Sequence, residues 1–220
     1  MGFKTIAILA AAVMSVSAYA ESSLTTKFGA EGWWTRTKVN EVNRDRDSTP
    51  SFYAGIEHDV KFLPNARVRY SSVDADYMAF DKLDLSLYYR ILEHDLMRFD
   101  AGVTVSDLSN TYYRNADTQA EVSFDELIWA FYGYAELSVP NTNFDVIGEM
   151  NFGDSQGIKN TDLMAGLQYR IDVKERQLLL KGGYRAIDLE SDDFKVVGES
   201  ELGKPFIFAH GWYAGAEYRF

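Results

Sequence analysis

The chain has 220 residues, 46% hydrophobic and 15% aromatic, with three histidines, no cysteine and a formal net charge of −11. The missing cysteines exclude disulfides, thiolate metal sites and cysteine nucleophiles. The acidic balance argues against nucleic acid, whose phosphates need a basic surface.

Taken in chain order, Lys4 precedes an apolar run from Ile6 to Val16, followed by Ala18-Tyr19-Ala20. A charged start, a short apolar stretch and small residues flanking the cut predict a secretory signal peptide over 1–20. The run is too short to cross a bilayer as a helix. Residues 21–220 then form one domain. Period-two alternation bounded by turn residues predicts ten strands. They lie near 24–35, 51–62, 66–73, 82–91, 97–105, 127–138, 144–152, 161–171, 177–187 and 206–220. Short connections (Leu63-Pro64-Asn65, Leu92 to Leu96, Val139 to Asn143, Asp172 to Arg176) alternate with long polar ones at 36–50, 74–81, 106–126, 153–160 and 188–205. That alternation predicts an all-β, up-and-down antiparallel transmembrane β-barrel of ten strands, with eight as the alternative.

Each predicted strand has one apolar and one charged face, because successive side chains point to opposite sides. The apolar face carries aromatics near the long-loop ends (Trp34, Phe52, Trp129, Phe152, Phe206, Phe208). It carries others near the short-turn ends (Phe62, Tyr89, Phe99, Phe144, Tyr169, Tyr218, Phe220). Aromatic girdles around an uncharged band suit a barrel with lipid outside and a polar lumen. A water-soluble barrel would invert that arrangement.

On this facing the lumen is lined by Glu31, Glu57, Asp59, Arg67, Arg69, Asp84, Arg90, Arg98, Asp100, Glu136, Asp145, Glu149, Asp162, Arg170, Lys181, Arg185, Glu217 and Arg219. Lys61 shares the face of Glu57 and Asp59. Opposed carboxylates and cations pair favourably across strands, so they form either a polar plug or a narrow two-signed pore. A second inward set is aromatic: Trp33, Tyr53, Tyr132, Tyr134 and Tyr213. It packs the lumen or, in the sharper reading, offers a stacking platform for a ligand. Inward glycines (Gly29, Gly55, Gly102, Gly166, Gly183, Gly215) leave room for pockets.

Catalysis has little support. His94 falls in a turn, and His58 and His210 point to lipid, which leaves no base beside a nucleophile. The acidic pairs Asp125-Glu126 and Asp192-Asp193 read as solvated loop tips. No cofactor or metal site is expected, though the acidic loops could take divalent cations loosely.

The last strand reads Trp212, Ala214, Ala216, Tyr218, Phe220 at alternate positions. This resembles the C-terminal assembly signal of Gram-negative outer-membrane β-barrel proteins, and the chain as a whole resembles small barrels of the OmpA-transmembrane-domain or OmpX type. The resemblance implies recognition of that strand by the barrel-assembly machinery, export through the periplasm, and residence in an outer membrane among lipid and lipopolysaccharide. That type has eight strands, against ten counted here. The functional expectation is a structural or surface-interaction protein with acidic outer loops. The alternative is a narrow, cation-favouring channel or small-solute transporter, with an outer-membrane enzyme third.

Overall fold

In the computed structural model, residues 24–39, 42–75, 78–114, 119, 121–191 and 206–220 are described. The expected signal peptide and the pair Asp192-Asp193 lie outside them. The strands are β1 (Leu24–Val39), β2 (Val42–His58), β3 (Asn65–Ala75), β4 (Met78–His94), β5 (Met97–Arg114), the two-residue β6 (Glu121–Val122), β7 (Glu126–Ser138), β8 (Phe144–Ser155), β9 (Ile158–Val173), β10 (Arg176–Ser191) and β11 (Phe206–Arg219).

Ten long strands form one closed up-and-down barrel. Each pairs antiparallel with its neighbours in sequence, β5 passes directly to β7, and β1 closes the ring on β11 from Lys27↔Arg219 to Val39↔Ile207. β6 adds only a short ladder to the end of β5. Closure removes the sheet edge along most of the ring, while toward the hairpin end the β2–β3 ladder stops at Ser51↔Ser71 and the β7–β8 ladder at Phe131↔Phe152. The ends of the barrel differ. One holds the described ends of the chain and the connections after β2, β4, β7 and β9, and is called the turn end. The other is the hairpin end.

Tight turns explain how little chain the connections use. Asp95-Leu96 and Lys174-Glu175 are two-residue turns between His94↔Met97 and Val173↔Arg176. At the hairpin end, Gln156 (φ 54°) and Gly157 (φ 78°) both take left-handed backbone between Ser155↔Ile158. Two successive positive φ values match the strand twist of a type I′ hairpin.

The strands outrun the sequence prediction at the hairpin end. β1 and β2 remain paired to Val39↔Val42, β3 and β4 to Ala75↔Met78, and β10 reaches Ser191. Most of the expected long loops are therefore ladder, because polar alternation pairs backbone as well as apolar alternation does. At the turn end β2 stops at His58. The expected strand residues Asp59, Val60, Lys61 and Phe62 lie in an exposed turn, with Phe62 at φ 65° and the Leu63 amide bonded to the Val60 carbonyl at 3.4 Å.

Polarity inverts along the barrel axis. Between the two aromatic zones the outward face is apolar and exposed, with Leu83, Leu85, Leu87, Val103, Val105, Phe131, Val146 and Leu167. Beyond Trp34, Trp212 and Tyr184, which stand in one register row, the outward face turns polar: Arg36, Asp74, Asp107, Asp154 and Lys159 are exposed. At that height the inward face is apolar. Met78, Phe80, Leu108, Ile128, Ile158, Ile187, Leu189 and Ile207 are fully buried in one cluster with Trp33 and Tyr113. Each such side chain contributes about 1.5–3 kcal/mol by leaving water. The single charged lumen expected from sequence occupies only the rest of the barrel. The change follows from the surroundings, since wall exposed to water must fill its inside with apolar side chains.

Candidate functional site: the charged lumen

The lumen lining comes from every second residue of each strand, so parity alone aims these side chains inward. Three tiers of charge stack from the turn end to the apolar core. In the first, Glu57 on β2 accepts bonds from Lys27 Nζ (2.5 Å), Arg90 Nη2 (3.0 Å), the Tyr88 hydroxyl (2.9 Å) and Arg98. Arg98 also bonds Asp100 through Nε at 2.9 Å. Beside this group, Glu217 accepts from Lys181 Nζ (2.5 Å), Arg219 Nε (2.6 Å) and the Tyr53 hydroxyl (2.7 Å). Arg219 lies 3.5 Å from Glu136 across the lumen, and Asp145 takes Gln168 at 2.8 Å and Arg170 at 3.3 Å.

The second tier crosses the barrel. Arg67 and Arg69 extend from β3 to Glu149 on β8, with Arg67 bonding both carboxylate oxygens at 2.7 and 2.5 Å. In the third, Asp162 on β9 takes both Arg185 Nε (2.9 Å) and Nη2 (2.8 Å), with Lys82 at 3.3 Å from β4. Lys82 also bonds Asp84 at 2.6 Å, and Arg185 reaches the Ser71 hydroxyl on β3 at 3.1 Å. Carboxylates taken out of water in this way need several donors each; Glu57, Glu217, Glu149 and Asp162 have them, whereas Oδ1 of the buried Asp145 has no hydrogen-bond partner.

Of the eighteen charges named from sequence, Asp59 is not in the lumen but exposed in the turn beyond the end of β2. Glu31 is buried, with its side chain over Gly215. The remaining sixteen belong to the ion pairs and hydrogen bonds just described. Lys27 and Lys82 were not among those candidates, although each shares inward parity with one of them, Glu31 or Asp84. Strand parity was the available signal.

The inward aromatics pack against these guanidinium groups. Arg67 stacks over Tyr132 (5.2 Å), Arg69 over Tyr53 (5.2 Å), Arg98 over Tyr134 (5.5 Å) and Arg185 over Trp33 (4.9 Å). Such cation–π contacts strengthen where water is absent. The glycine spaces are filled from neighbouring strands. The Tyr53 ring covers Gly29, Tyr88 presses on Gly102, and the Tyr213 hydroxyl sits over Gly166.

A polar cavity of about 560 Å³ opens at the turn end, lined among others by Lys27, Glu57, Arg98, Glu136 and Arg219. Asp125 is engaged in structure, accepting the Thr111 amide (2.9 Å) and hydroxyl (2.7 Å). Among the described residues, no three histidine or acidic side chains gather as a metal site. His58 accepts the Val60 amide at 3.3 Å, and His210 bonds the Tyr184 hydroxyl on the outer wall.

No protein-family model matches the chain, and no curated protein matches it. Solved structures similar to it include Neisserial surface protein A, 12% identical with a TM-score of 0.39 over 91% of this chain and 100% of that one. The β domain of the Bordetella autotransporter BrkA is 12% identical with a TM-score of 0.46, over 89% and 98%. KdgM porin is 10% identical with a TM-score of 0.35, over 86% and 99%. In fold, the chain resembles small outer-membrane β-barrels.

Proposed function

We propose that the chain is an integral, non-catalytic outer-membrane barrel with a closed lumen, serving envelope structure or surface contact. Its hairpin end faces outward and its turn end the periplasm. The observation carrying this is the filled interior: a fully buried apolar cluster of Met78, Phe80, Leu108, Ile158, Leu189 and Ile207 lies beyond the ion-paired tiers. Hydrated ions do not cross such a packed apolar layer, so the 560 Å³ cavity below it is a blind vestibule. Ten strands also sit near the filled end of the size range for barrels. The exposed apolar band supports bilayer residence, because only hydrocarbon solvates a belt of that size without penalty. Recognition of Trp212 to Phe220 by the assembly machinery, and loose divalent binding at the acidic loops, belong to the same proposal.

Reconstitution into a planar bilayer tests it. The expected record shows no resolvable single-channel current. Steady unitary steps would overturn the closed-lumen reading in favour of a narrow channel.

A further inference from the structure

A groove of about 430 Å³ runs along the outer wall, lined by Trp34, Thr35, Arg36, Asp47, Ser48, Tyr184, Gly211 and Trp212. It straddles the level where the wall changes from apolar to polar. Trp34, Trp212 and Tyr184 form its aromatic floor, with the Tyr184 and Trp212 rings edge to face at 5.3 Å. Arg36 stands two residues further toward the hairpin end, and Lys38 beyond it lies over the Phe208 ring at 6.0 Å. The ladder sets Arg36 opposite Arg46 on one side and His210 on the other.

Two observations mark this wall as a seat for an anion. Among the described residues, Arg36 and Lys38 have no ion-pair partner, whereas Arg114 and Lys159 at the same end are paired with Glu121 and Glu190. His210 Nδ1 shares a hydrogen bond with the Tyr184 hydroxyl, and the other ring nitrogen, Nε2, is buried without a partner. Among the described residues lining the groove, the carboxylate is that of Asp47. It is already engaged by the Ser48 amide (2.6 Å), the Thr49 hydroxyl (2.9 Å) and the Asp74 amide (3.1 Å). Elsewhere the outward rim exposes Asp74, Asp107 and Asp154, and its exposed Lys159 is paired with Glu190.

We propose that this groove binds the phosphate headgroup of a lipid in the leaflet at the hairpin end. The phosphate sits against Arg36 and Lys38, and the acyl chains lie down the wall past Trp34 and Trp212. Amphipathic rings below a basic pair match the order of such a lipid, with hydrocarbon first and phosphate above. The proposal rests on the bilayer reading given above.

The test is tryptophan quenching of the full chain refolded into phosphatidylcholine vesicles, in a Trp129→Phe background so that the lipid-facing signal comes from Trp34 and Trp212. Small fractions of brominated phosphatidic acid or brominated phosphatidylcholine are added. Brominated phosphatidic acid should quench preferentially, by about fivefold in apparent affinity for each of the two cations. Arg36→Gln combined with Lys38→Gln should abolish the preference, and Arg36→Lys should keep it. Equal quenching by the two lipids overturns the site while leaving bilayer residence intact. No quenching by either overturns bilayer residence itself. Competition by excess inorganic phosphate overturns the lipid assignment in favour of free phosphate. If the double variant fails to insert, the wild-type preference and its loss at high ionic strength decide the matter.

Discussion

Arg67 on β3 holds Glu149 on β8 across the lumen by two bonds of 2.7 and 2.5 Å. Removing the carboxylate strands Arg67 and Arg69 together in a buried site, since Glu149 serves both. Glu149→Ala should therefore cost about 3–5 kcal/mol in urea unfolding from lipid vesicles. Adding Arg67→Leu and Arg69→Leu should recover part of that loss. A triple variant weaker than Glu149→Ala alone would show that the arginines work elsewhere.

Leu108 and Asp107 are neighbours with opposite outlooks, the first buried in the apolar core and the second exposed. Leu108→Ala should cost about 2–5 kcal/mol, and Asp107→Ala should stay within about 0.5 kcal/mol. Leu85, in the exposed apolar band, behaves as a third kind of site. Leu85→Arg should cost about 2–4 kcal/mol in a bilayer, and Asp84→Asn on the lumen side should be milder. The same unfolding titration ranks all four.

Trp33 and Trp34 are adjacent, yet one is 1% exposed in the lumen and the other 54% exposed on the outer wall. Single-tryptophan variants should separate them. A lipid carrying a bromine in its chain should quench Trp34 strongly and Trp33 weakly, and aqueous acrylamide should reach neither well. Similar lipid quenching of both would show that β1 is turned the other way.

The Gln156-Gly157 hairpin depends on left-handed backbone at both positions. Gly157→Ala should cost about 1 kcal/mol, the penalty of a Cβ in that conformation. Gln156→Asn, which tolerates it better, should be neutral or slightly stabilising. Equilibrium unfolding midpoints check both, and a neutral Gly157→Ala would remove the strain argument.

Most of the barrel could be read from the chain because its evidence is local. Alternation at Glu57, Arg67, Asp84, Glu149 and Arg185 gave the inward face, and the short turns gave the strand order. The hairpin end was less legible for a physical reason. There Asp107, Asp154 and Asp188 alternate with Leu108, Gly153 and Leu189 in the inverse sense, so a search for apolar-out strands stops where pairing continues. β2 failed in the opposite direction. Val60 and Phe62 kept the expected period beyond His58, but Pro64 and the left-handed Phe62 turn the chain first. The partners across the lumen, such as Arg219 with Glu136, could not be read from spacing, because they depend on how the ring closes.

The reversal of wall polarity beyond Trp34, Trp212 and Tyr184 acts as a depth gauge. Sinking by a few residues would drag Arg36 and Asp107 into oil, and rising would strand Leu85 and Val105 in water. On the proposed placement in a bilayer, the barrel floats stably at one height, with its rim clear of the surface on a grease-filled collar.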